Sequence, residues 1–260
     1  MAGKNRVNIC NILLDNVTQT EALKEINQLV EKKGVHYIVT PNVDHIIKLQ
    51  TDREFFKIYK EADLVLADGM PILWAAKFLG TPLKERVAGS DLFPIICKLA
   101  AVKGYKVYLL GGRQGAAEKA SKVLCNKYKG LNIIGTYSPP FGFEHKAIEN
   151  DKIIKIIQDA QPDILFVGLG APKQEKWIYS YRKIYKTPVS IGVGVSFEFI
   201  AGMVNRAPRW MQKIGLEWFW RFIMEPKKLW RRYFIDDIKI FSLVLKQKRK
   251  LSMHRPGRNI

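Results

Sequence analysis

An α/β fold is predicted, with a mainly parallel, Rossmann-like sheet carrying helices on both faces and a basic, Trp-rich helical appendage after it. Three observations predict it. Short β-branched runs ending in Gly, Asn or Asp alternate with helical stretches as far as Gly202, the pattern of parallel strands joined by crossover helices. After Gly202 no strand-like run follows. In its place residues 201–260 gather 15 Lys and Arg against 4 Asp and Glu, +11 of the formal +19, together with four of the six Trp.

Each element has a local reason. Thr18-x-x-Glu21 has the form of a capping box, in which hydroxyl and carboxylate satisfy each other's exposed N–H groups, and it opens a predicted helix to Lys32 that Lys33-Gly34 stops. Strands are predicted at Val35 to Thr40, Asp63 to Ala67, Tyr105 to Leu110, Asn132 to Thr136, Asp163 to Val167 and Val189 to Val193. Ser90-Asp91 offers a cap for a predicted helix through Val102, closed by Lys103-Gly104. Ser138-Pro-Pro-Phe-Gly142 reads as a loop. Pro226 divides the appendage into two predicted helices, about 209 to 224 and 227 to 247, because proline breaks a helix interior. In the second, Trp230, Phe234, Phe241 and Leu245 recur at one-face spacings, with Lys228, Arg231 and Arg232 beside them. The expected division is an α/β domain, 1–202, and a basic helical appendage, 203–260, suited to a membrane surface.

Composition narrows the class. A chain of 260 residues with 47 % hydrophobic and 26 % charged residues is ordinary globular material. Cys10, Cys97 and Cys125 are odd in number and lack CxxC or zinc spacing, which points to a reduced compartment. Met1 to Val17 lacks the apolar core of a secretory signal, and no run is long enough to span a bilayer, so membrane association is expected to be peripheral, at the cytoplasmic face. Basic residues interleaved with Trp suit an anionic membrane surface or a diphosphate-linked lipid, since Trp sits at headgroup level while Lys and Arg meet phosphates. The same feature is the footprint of a nucleic-acid-binding protein, which stands as the alternative of a different class.

Ligands of open parallel sheets collect at the carboxyl ends of strands. Four predicted ends are unusual: Thr40-Pro41-Asn42-Val-Asp44, Ala67-Asp68-Gly69-Met-Pro71, Gly111-Gly112-Arg113-Gln114-Gly115 and Gly168-Leu-Gly170-Ala-Pro172-Lys173-Gln174-Glu175. The two Gly-rich turns allow backbone N–H groups to approach a phosphate, with Arg113 or Lys173 adding charge, or they are tight turns without a ligand. Neither matches a dinucleotide fingerprint or a P-loop. Asp68 is either a general base for a hydroxyl or the cap of the following helix. Thr40 and Asn42 offer neutral groups for sugar hydroxyls, or serve the turn. Ser196 lacks the closing Gly of a nucleophile elbow, and His36, His45, His145 and His254 lack metal-ligand spacing. No Asp-x-Asp occurs, so no metal and no cofactor are expected; if a nucleoside diphosphate leaves in a reaction here, cationic side chains are the substitute for a metal.

In their order and number, several segments make the sequence resemble the bacterial TagA/WecG/CpsF glycosyltransferases, glycosyltransferase family 26. They are Thr40-Pro-Asn-Val-Asp44, Ala67-Asp-Gly-Met-Pro71, Arg86-Val-Ala-Gly-Ser-Asp91, Gly168-Leu-Gly-Ala-Pro-Lys-Gln-Glu175, Arg206-Ala-Pro-Arg-Trp210, Gly215-Leu-Glu-Trp218, Glu225-Pro226 and Arg232-Tyr233. The resemblance implies inverting transfer of N-acetylmannosamine, or its uronic acid, from a UDP-sugar to N-acetylglucosaminyl-diphospho-undecaprenol. It implies Asp68 as the base, Thr40 and Asn42 in the sugar pocket, Arg86 at the acceptor or diphosphate, and Gln174 at the nucleotide sugar. It also implies a membrane-associated appendage supplying basic groups, here Arg221, Lys228 and Arg231. The sequence departs from the family pattern at Glu198, commonly Asp, and at Lys228, often Arg. An oligomer of identical chains is left open.

Overall fold

A computed structural model describes residues 5–253, apart from the side chains of Lys213 and Lys228. The last residues of the predicted appendage, His254 among them, lie outside the described residues. The chain opens with an antiparallel hairpin, β1 (Arg6–Ile9) and β2 (Ile12–Asp15), turned by Cys10 and Asn11, both at positive φ. That hairpin was not among the predicted strands. Its two-residue turn lacks the Asn-Gly or Asp-Gly pair that signals one.

After α1 (Gln19–Glu31) the chain builds the sheet. In order come β3 (His36–Val39), α2 (Val43–Lys48), α3 (Arg53–Glu61), β4 (Leu64–Val65), α4 (Met70–Leu79), α5 (Gly89–Lys103) and β5 (Lys106–Gly111). There follow α6 (Ala116–Lys127), β6 (Asn132–Tyr137), α7 (Ala147–Ala160), β7 (Ile164–Gly168), α8 (Lys173–Tyr185), β8 (Val189–Gly192) and α9 (Ser196–Ile200). Strands β3 to β8 form one six-stranded, all-parallel sheet in the order β4-β3-β8-β7-β5-β6. The six predicted strands are these six. Helices cover both faces: one core joins the hairpin, α3, α4, α7 and α8 to the sheet, the other joins α1, α5 and α6. Strand β7, buried on both sides, reads as a continuous apolar run, whereas the edge strand β6 is only partly buried and was visible through its β-branched residues.

The capping box at Thr18 and Glu21 is present. The expected cap at Ser90-Asp91 is not: α5 begins at Gly89 behind Ala88, no side chain caps it, and Asp91 is turned to other partners.

The appendage contains α10 (Arg209–Lys213), α11 (Glu217–Met224), α12 (Pro226–Arg231), a π-helical turn at Arg232–Asp236 and α13 (Lys239–Met253). The predicted helix over 209 to 224 is thus interrupted at Gly215. Its φ is +80°, and a Cβ there would lie 2.8 Å from Met70 Cβ and 2.9 Å from the Trp74 ring, so glycine lets the segment close on α4. Pro226 starts α12 at its first position, where its missing N–H costs nothing. The appendage is integral to the body. Helix α13 buries Ile240 and Val244 in the first core, and Gln247 exchanges hydrogen bonds with the hairpin, accepting from Cys10 N at 2.7 Å and donating to Asn8 O at 2.8 Å.

Candidate active site

The ends of β3 and β4 meet first. Asp68 N–H donates to Pro41 O at 2.8 Å, placing the loop that carries Asp68 beside the Thr40–Asn42 loop. Asp68 does not cap α4, whose cap position is Gly69 with no side-chain bond, and this removes the capping alternative. Its side chain remains 30 % exposed. Desolvation pushes the carboxyl up to about 7; Arg86 pulls it down, and Glu217 and Asp91 push it up.

Five charged groups interlock here. Arg86 lies 2.7 Å from Asp91, 3.6 Å from Glu217 and 3.9 Å from Asp68. Arg206 holds the other oxygens of the same acids, at 2.6 Å to Asp91 and 3.2 Å to Glu217. Arg86 is therefore engaged by carboxylates on three elements. Arg206, Glu217 and Asp91 were not predicted as site residues. The available signal was an acid, Glu217, inside a strongly basic aromatic segment, and an Arg and an Asp within motifs already quoted.

Thr40 is buried at the end of β3. Asn42 takes the turn role: its Oδ1 accepts from His45 N at 3.3 Å as the cap of α2, and from Arg232 Nη2 at 3.4 Å. Arg232 also lies 4.0 Å from Asp44 and 3.6 Å from Asp237. Beneath them His45 meets the Tyr59 hydroxyl at 2.7 Å, and burial lowers its pKa to about 3, so it is neutral.

The second half of the cleft is the β5, β7 and β8 ends. A Cβ on Gly111 would lie 2.6 Å from Gly168 O, and Gly112 N–H donates to that oxygen at 2.7 Å, so the two Gly-rich turns first of all let neighbouring strand ends approach. Gly170 has open space around it. Gln174 is buried. Its carbonyl accepts from Gly170 N and Gly194 N at 3.2 and 3.0 Å, and its amide donates to Glu175 at 2.8 Å, so it ties two strand-end loops together. That arrangement places it between the ends of β7 and β8, where the resemblance implies the nucleotide sugar. Glu198, the departure from the family pattern, accepts from Arg113 N at 2.9 Å. The Arg113 guanidinium meets Glu225 at 3.3 Å, and Lys173 pairs with Glu144 and lies over the Phe141 ring.

The appendage thus touches both halves: Arg206 and Glu217 at Asp68, Arg232 at Asn42, Glu225 at Arg113. Arg221 and Arg231 make no ion pair among the described residues. The Lys228 side chain lies outside the described residues. No group of three His, Cys, Asp or Glu suited to a metal occurs among the described residues. A cavity of about 530 Å³ bordered by Lys106, Asp163 and Thr187 opens at the opposite, N-terminal ends of the strands, away from this chemistry.

A carboxyl poised near neutrality, among guanidiniums at the carboxyl edge of a parallel sheet, is suited to accepting a proton from a hydroxyl. The family model described as Glycosyl transferase WecG/TagA/CpsF family matches residues 7–254. The chain belongs to this family. It is similar to N-acetylglucosaminyldiphosphoundecaprenol N-acetyl-beta-D-mannosaminyltransferase of Staphylococcus aureus strain MW2, at 31 % identity over 251 residues, 95 % of this chain and 94 % of that protein. The counterpart in strain MRSA252 is 30 % identical over the same shares. The protein is a glycosyltransferase, and no helix among its described residues is long and apolar enough to cross a membrane.

Proposed function

We propose that this glycosyltransferase moves N-acetylmannosamine from UDP-N-acetylmannosamine to N-acetylglucosaminyl-diphospho-undecaprenol, with inversion, at the cytoplasmic face of the membrane. The observation that carries the reading is Asp68, uncapping and solvent-accessible, held beside Arg86 at the mouth of the sheet. The acceptor hydroxyl attacks the anomeric carbon as Asp68 takes its proton, and the bond to UDP breaks. The new negative charge on the diphosphate is matched by Arg221 and Arg231, which make no ion pair among the described residues, although Asp236 lies within electrostatic reach of Arg231, with Lys228 as the third candidate cation. Gly111, Gly112, Arg113, Gly168, Gly170 and Lys173 border the donor side, and Gln174 sets the spacing of its loops.

The appendage supplies the membrane contact in this reading. Of 21 exposed large apolar side chains among the described residues, 13 fall between Trp210 and Met253, among them Trp210, Trp230, Phe234 and Phe241, beside a surplus of Lys and Arg. The deciding experiment is turnover with a panel of UDP-sugars and a short-chain lipid-diphosphate acceptor, followed by mass spectrometry. A product one N-acetylhexosamine heavier with UDP-N-acetylmannosamine is expected; exclusive use of the uronic acid donor would reassign the sugar.

A further inference from the structure

The cluster around Asp68 has a feature that the transfer reaction by itself does not require. Arg86 stands 3.9 Å from the Asp68 carboxylate, outside hydrogen-bond range. It is drawn the other way by Asp91 at 2.7 Å and Glu217 at 3.6 Å. Those two acids are in turn bridged by Arg206, at 2.6 and 3.2 Å. Two guanidiniums therefore serve three carboxylates, and the one left without a close partner is Asp68.

We propose that Glu217 and Asp91 are positioning residues that hold the Arg86 guanidinium off Asp68, with Arg206 closing the cluster, so that Asp68 stays a proton acceptor instead of half of an ion pair. The inference rests on Asp68 being the base of the proposed transfer. It assigns the appendage an acidic contribution to catalysis besides its cations: Glu217 lies on α11, whereas Asp91 and Arg86 belong to the body. The charged and titratable groups around Asp68 are Arg86 ahead of α5, Asp91 on α5, Arg206 ahead of α10, Glu217 on α11 and, within electrostatic reach, the protonated Tyr59 of α3. Removing either acid's charge leaves Arg86 free to close on Asp68. An opposite charge at contact lowers a carboxyl pKa by about 1–3 units.

The test follows the Asp68 carboxyl carbon by NMR in protein carrying 13C-labelled aspartate, assigned with Asp68→Asn. In the unaltered chain it is expected to titrate near 7. In Glu217→Gln and in Asp91→Asn, both isosteric, it should titrate at least about one pH unit lower. The acidic limb of kcat should move with it, while KM for the donor stays within about twofold. An unchanged Asp68 titration in folded variants overturns the proposal and leaves Glu217 and Asp91 as fasteners of the appendage. Unfolding of both isosteric variants overturns it as well, because the cluster would then be a stability element. The titration needs no substrate, so failure of the donor panel would sink the proposed reaction without deciding this point.

Discussion

The body and the appendage distribute polarity in opposite senses. Residues up to Gly202 bury their large apolar side chains in two cores, one on each face of the sheet, and turn most charge to solvent. In the appendage most large apolar side chains face out, Phe241 at 69 % exposure, with Met211, Leu229, Ile240 and Val244 buried, while Arg206, Glu217, Arg232 and Asp237 turn inward to the cleft. A region that exposes Trp and Phe while burying charge is built for two neighbours at once, a charged site below and an apolar phase above. In the proposed reaction the body supplies the scaffold and the base, and the appendage sets the electrostatics.

The comparison breaks first at the junction. A chain ending at Gly202 is expected to lose turnover and vesicle binding together. It should also melt at lower temperature, since Ile240 and Val244 leave the first core and each such side chain contributes about 1.5–3 kcal/mol. An unchanged melting temperature would show that the body stands unaided.

Within the body, Asp68→Asn is expected to lower kcat about 10²–10⁴-fold with UDP binding nearly intact, because a general base acts in the transition state. Rates near the unaltered enzyme would move the base elsewhere. In the appendage, replacing Trp230 and Phe241 by Ser should weaken binding to anionic vesicles while turnover of a soluble acceptor persists. Equal loss of both would show that the exposed face also shapes the site.

A subtler probe is Glu175, buried in the first turn of α8 with one carboxylate oxygen unpartnered. Burial raises its pKa to about 7, so the folded state favours the protonated form. Its contribution is fully present below the ordinary carboxyl value of about 4.3 and is lost as pH rises through about 7. Glu175→Gln should therefore gain melting temperature over the unaltered chain at pH 8 relative to pH 5. A gap that ignores pH would mean that this carboxyl is not burdened by its charge. The smallest effect is expected from EDTA, which should leave turnover intact; loss restored by magnesium or manganese would give the diphosphate a metal partner after all.

What the sequence determined lies mostly in local chemistry. The six parallel strands were legible because short runs rich in β-branched and apolar residues are set off by turn residues, and α1 because its capping box is closed within four residues. Asp68 stood out because strand-end acids are unusual, and the polarity of the appendage because charge and Trp are simple to count. The hairpin stayed hidden behind a Cys10-Asn11 turn, and Asp91 resembled a cap because a cap and an ion-pair partner look alike in one dimension. The order β4-β3-β8-β7-β5-β6, the break at Gly215 and the meeting of Arg206 with Asp91, 115 residues apart, came only from the tertiary structure. Local pattern fixes which face of an element is buried, but not which distant element covers it. A charge acquires its partner, and with it its function, only when packing brings the two together.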